Sequence, residues 1–116
     1  MTDARHGTFA DLDGDEPYPG IRRRAFDAEG CTITEYTFDA GAEFPRHRHR
    51  QEQVTLIEHG MVTMTLGQQR HELGVGAWSV VAGGVEHGIV AGPDGARIRA
   101  VLVPRRGSTD EIEVLG

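Results

Sequence analysis

GAEFPRHRHRQEQVTLIEHG, residues 41–60, is the stretch on which the reading of this chain turns. His47 and His49 alternate with Arg46, Arg48 and Arg50. On an extended strand, residues two apart share a face and neighbours point apart. Both imidazoles therefore project to one side and the three guanidiniums to the other. The same parity puts Gln51 and Gln53 on the histidine side and Glu52 on the arginine side. Two imidazoles on one strand face are half of a metal site. The other half is expected from His87, in the turn-rich AGGVEHG at 82–88.

Outward from this stretch, short β-prone runs are separated by glycine and proline. They fall at 21–27, 31–38, 45–50, 53–58, 61–66, 70–73, 77–81, 87–91 and 97–103, with GPDG at 92–95 read as a turn and His59 placed in a hairpin turn. No window carries a helical apolar period over ten or more residues. Short strands with tight turns predict an all-β sandwich or barrel. Pro104 closes the last long strand, and 105–116 is a charged tail with a weak strand at Ile112–Leu115. One barrel domain is expected over 21–116, preceded by an N-terminal arm at 1–20. In that arm Asp11, Asp13 and Asp15 alternate as in a calcium loop. However, Gly14 comes two places early and Arg22 stands where the closing glutamate belongs. The stretch reads instead as an arm or edge strand that needs something to pack on.

Composition removes several function classes. The 116 residues suit one domain, and 38% hydrophobic with 26% charged content suits a folded chain. All 12 basic residues are arginine, so lysine Schiff-base chemistry, pyridoxal phosphate anchoring and the phosphate-loop lysine are excluded. A net charge of −6 argues against nucleic acid as a partner. The arginine clusters at 22–24 and 46–50 read as solvated strand faces paired with the excess carboxylates. No apolar run approaches a membrane span and no leader opens the sequence, so the expected location is cytoplasmic. Cys31 is the single cysteine and forms no internal disulfide. Ser79 and Ser108, the two serines, lack a nucleophile context.

Two spacings resemble the cupin superfamily. Its first motif runs Gly, five residues, His-x-His, three or four residues, Glu, six residues, Gly. Here Gly41, His47, His49, Gln53 and Gly60 occupy those places. Its second runs Gly, five residues, Pro-x-Gly, two residues, His, three residues, Asn. Here it is Gly76, Ala82, Gly84, His87 and Ala91. The resemblance covers about residues 30–103 and implies a double-stranded β-helix, or jelly-roll, barrel. Gln53, Ala82 and Ala91 depart from the usual residues, the last two at places that stiffen a turn or pack a strand. The string His-x-His-x-x-Glu-Gln is similar to that of small single-domain cupins in which the glutamine completes the metal site. The resemblance therefore implies His47, His49, Gln53 and His87 as ligands of one divalent metal, with Glu52 in reserve should a bulge shift the register. It also implies a homodimer whose N-terminal arms exchange contacts.

Three neutral imidazoles suit Zn, Fe, Ni or Cu, and the expected metal is one divalent Zn, Fe, Ni or Mn per chain. Glutamine, unlike a carboxylate, leaves the metal's full charge available to polarise a carbonyl or stabilise an enolate. The relatives with this motif include sugar-acid ketonising and polyketide-cyclase-like proteins. The leading expectation is thus a metal-dependent, non-redox enzyme of isomerase, lyase or cyclase type acting on a small enolisable oxygenated molecule. An Fe(II) dioxygenase and a non-catalytic barrel that binds a small ligand are the alternatives. Tyr36 and Glu52 are the candidate catalytic residues, with Glu35 and Arg99 behind them. Phe38, Phe44, Met64 and Trp78 are read as core or pocket wall. His6, His59 and His71 are expected to face solvent.

Overall fold

Every odd-numbered residue from His47 to Ile57 is buried, and every even-numbered one from Arg46 to Glu58 is exposed or half-exposed. The alternation read from the arginine–histidine stretch thus runs unbroken through two strands and the bend between them. The computed structural model describes residues 4–107 and 112–115. Ser108 and the rest of 108–111 in the tail, residues 1–3 of the arm and Gly116 lie outside the described residues.

Among the described residues the strands are β1 (Gly14–Tyr18), β2 (Ile21–Asp27), β3 (Thr32–Phe38), β4 (Glu43–Arg48), β5 (Glu52–Leu66), β6 (Gln69–Gly74), β7 (Trp78–Val81), β8 (His87–Val103) and β9 (Glu113–Val114). A short 3-10 turn at Phe9–Asp11 is the helical piece. All pairings are antiparallel, and β8 is the hub. Its first half lies between β4 and the second half of β5, and its second half between β3 and the first half of β5. The two long strands therefore pass from one wall of the barrel to the other. One wall runs β1-β2-β3-β8-β5-β7 and the facing wall β9-β4-β8-β5-β6.

That crossing corrects two expectations. The runs 53–58 and 61–66 are one strand, and so are 87–91 and 97–103. His59 sits inside β5 opposite Arg97 and not in a hairpin turn. The cause is a corner. Gly60 and Gly95 both adopt positive φ, 70° and 73°, and their backbones nearly touch. A Cβ on Gly60 would run into the Gly95 carbonyl oxygen. Glycine lets each strand bend and shift register without leaving the ladder, as at a bulge. From sequence alone such a corner reads as a turn.

The inner face holds a core of Ile21, Tyr36, Phe38, Phe44, Ile57, Val62, Met64, Val81, Ile89 and Ile98, with Ala91, Ala96 and Ala100 between the large side chains. Their apolar surface is what holds the two walls together. Met64 belongs to this core, where its sulfur accepts from Ser79 at 3.3 Å. Trp78 is 66% exposed on the outer face.

In the arm, β1 adds an edge strand to β2, and the boundary at residue 20 falls in the turn between them. Phe9 packs on its own barrel, 5.6 Å from Phe26 and under the Arg99 guanidinium. Asp15, the last of the alternating acids in the arm, forms a two-pronged pair with Arg23 at 2.9 and 2.5 Å. The arginine clusters pair as expected, Arg22 with Asp39, Arg46 with Glu86 and Arg48 with Glu113. At such exposed positions these pairs add little stability.

Candidate metal centre

The β4–β8 ladder sets His47 directly opposite His87, because their α-carbons are register partners. His49 lies just past the end of β4, on the same face as His47. The loop carrying the second motif locks onto it. Gly84 donates its N–H to the His49 carbonyl oxygen at 2.8 Å, and a Cβ on Gly83 would strike the Arg50 carbonyl oxygen. That loop therefore needs its glycines to approach the first motif and deliver His87 beside His49. One ring nitrogen from each of the three histidines lies within 4.8 Å of the others, and all three rings are buried.

Each imidazole is oriented the same way. The Nδ1 of His47 faces the Pro45 carbonyl oxygen at 2.8 Å, that of His49 the Gln51 oxygen at 3.1 Å, and that of His87 the Val85 oxygen at 3.0 Å. A carbonyl oxygen only accepts, so each Nδ1 carries the hydrogen and donates it. In the neutral ring Nε2 is then a bare lone pair. Neutrality is favoured here. Burial, followed by the charge of His87, pushes His47 down to about 4, and burial likewise lowers His49 and His87.

Gln53, buried at the start of β5, completes the cluster. Its amide nitrogen donates to the Thr55 hydroxyl at 3.0 Å, which turns its oxygen toward the histidines. That oxygen lies 3.0 Å from His49 Nε2 and 3.2 Å from His87 Nε2. Acceptors thus converge on acceptors, an arrangement that repels unless a cation lies among them. Carbonyl ties behind a set of imidazoles are also the usual support of metal-binding histidines. The donor set fits a divalent transition metal held by neutral nitrogen and oxygen ligands.

The cavity over these residues is lined by Tyr36, Phe38, Phe44, Ile89, Ile98, Leu102, Arg106 and Ile112. Its free volume is about 10 Å³, close to that of one water-sized sphere. Tyr36 is the expected catalytic candidate that reaches this space. Burial raises its pKa, while the Arg23 guanidinium, its register partner across β2–β3, acts in the opposite direction. Glu52 lies on the arginine face, exposed, because no bulge intervenes between His49 and Gln53 to reverse the parity. Glu35 and Arg99 face outward and pair with each other at 3.4 Å. His6, His59 and His71 are exposed.

Sequence reading missed Thr55, Arg106 and Ile112. Thr55 shares the parity of Gln53 and was legible on that ground. Arg106 and Ile112 follow the last long strand, where no period constrains the side-chain direction.

These features define a small β-barrel with a buried three-histidine cluster, and the comparisons agree. A family model described as a cupin domain matches residues 34–104. The chain belongs to the cupin family. An RmlC-like cupin from Shewanella frigidimarina superposes with a TM-score of 0.80 at 25% identity, over 91% of this chain and 96% of that one. KdgF from a Halomonas species gives 0.74 at 27% identity, over 84% and 92%. Oxalate decarboxylase from Bacillus subtilis, a protein with Mn(II) centres, gives 0.84 at 20% identity, over 95% of this chain and 33% of its own. No curated protein matches the chain. Among the described residues no helix is long and apolar enough to cross a membrane.

Proposed function

We propose that this cupin is a metal-dependent enzyme of isomerase, lyase or cyclase type that acts without redox change on a small enolisable oxygenated molecule. A divalent metal, Zn, Ni, Fe or Mn, would be held by His47, His49, His87 and Gln53. The observation that carries this reading is the convergence of bare Nε2 lone pairs and the Gln53 oxygen, each fixed from behind by a hydrogen bond. The metal when bound would supply a Lewis acid that the all-neutral ligand set leaves unquenched. The chain's own residues supply the rest. Phe38, Phe44, Ile98 and Leu102 exclude water, which strengthens electrostatic interactions inside. Tyr36, kept protonated by burial, lines the same cavity as the histidines and is the candidate proton source. Glu52 faces away and takes no part.

One observation favours a second reading, a barrel that binds a small ligand without turning it over. Among the described residues no carboxylate lines the cavity, so Tyr36 is left as its candidate proton-handling group. The experiment is metal analysis of untagged protein purified without added metal, followed by assays under nitrogen. About one equivalent per chain, lost in a His47→Ala/His49→Ala double variant, supports the centre. Turnover of an enolisable substrate with Zn or Ni under nitrogen supports the enzyme. Turnover confined to Fe(II) with oxygen would replace it by a dioxygenase.

A homodimer belongs to the same proposal. The outer face offers an uncovered apolar strip in which Trp78 opposes Leu56 and Val80 opposes Val54. Sedimentation of the wild type against Trp78→Glu tests it, and two identical monomeric profiles would reject it.

A further inference from the structure

Among the described residues, positive charge in the cavity has no built-in counterion. The ligand set is neutral, and among the described lining residues the one charged side chain is Arg106. Elsewhere the chain pairs its arginines with acids, as in Arg23–Asp15, Arg46–Glu86 and Arg99–Glu58. Among the described residues no carboxylate pairs with Arg106.

Nor is Arg106 placed loosely. Its backbone N–H donates to the Thr32 hydroxyl at 2.9 Å, and that hydroxyl donates to Asp27 at 2.5 Å. The segment is thus tied to the end of β3, where the side chain reaches the cavity. The Arg106 side chain lines the same cavity as Tyr36, His47, His49 and Gln53. A dication and a guanidinium in a carbon-walled space repel each other. An anion between them removes that repulsion, and a carboxylate matches the guanidinium fork in shape and charge.

We infer that Arg106 is the anion-recognition residue of this site, and that the substrate is a small carboxylate whose acid group meets Arg106 while a neighbouring oxygen faces the three histidines. The substrate part of this inference rests on the metal reading above. The anion part can be read without it. The small free volume argues against a bulky acid.

The test is calorimetric titration of the full chain, Zn-loaded and chelator-stripped, with pyruvate and with its neutral amide, pyruvamide. Arg106→Gln should weaken pyruvate binding about 10-fold while leaving pyruvamide affinity within twofold, Zn content unchanged and melting temperature unchanged. Arg106→Lys should restore part of the loss, which a purely structural role would not do. Equal pyruvate affinity in wild type and Arg106→Gln would overturn the inference. So would wild type that prefers the amide, or that binds no pyruvate in either state. Should the loaded protein hold no Zn, the metal reading fails by itself. The Arg106 comparison is then decided in the stripped protein by the same criterion.

Discussion

His47 and His87 face each other across the β4–β8 ladder, with ring centroids 4.2 Å apart. Two cationic rings at that distance in a buried site would repel, so both are held neutral. Burial first, and the His87 charge second, lower His47 to about 4 from the usual 6.5. The unfolded chain therefore takes up its proton first as pH falls. The stability contributed by His47 is fully present above pH ~6.5 and lost progressively down to pH ~4. In metal-free protein, urea midpoints should fall across that window, and His47→Gln should flatten part of the slope. Parallel profiles for the two proteins would refute the assignment.

Alternation predicts a sharp contrast between neighbours. His49→Ala should lose most of the bound metal, whereas Arg48→Ala, which removes an exposed pair with Glu113, should leave metal content nearly unchanged. Elemental analysis decides it, and equal losses would mean that the faces are wrongly assigned.

Orientation of the Gln53 amide depends on Thr55. Thr55→Val leaves the amide nitrogen buried without its acceptor, at a cost of roughly 1–3 kcal/mol. Loss of such a support should also weaken metal affinity about 10-fold. Competition with a chromophoric chelator reads the second effect and urea denaturation the first. Gln53→Glu should retain metal, and Gln53→Ala with full metal content and affinity would remove Gln53 from the ligand set.

The corner predicts a fold-level cost. Gly60→Ala places a side chain at positive φ against the Gly95 carbonyl oxygen. Destabilisation should be roughly 1–3 kcal/mol from the backbone conformation, with the collision in addition, read as a lower denaturation midpoint. A neutral substitution would show that the two strands do not cross so closely.

Much of this architecture was legible in the chain. Parity from Arg46 to Gln53 assigned the inward set, and it did so because a strand has a period of two whatever it packs against. The matched spacings around His47, His49 and His87 carried the family, since turns of fixed length must return each histidine to one place. Strand continuity at Gly60 and Gly95 was not legible. A glycine-rich break looks alike whether the chain reverses or only bends.

What the sequence alone determined, then, was which side chains share a face, for that depends on local backbone geometry. What only the tertiary structure decided was which faces meet. The opposition of His47 and His87, the turn of Gln53 toward them by Thr55, and the reach of Arg106 into the cavity all depend on register between distant strands or on tail placement. No local period encodes these relations, because each is set by the packing of two walls around a common core.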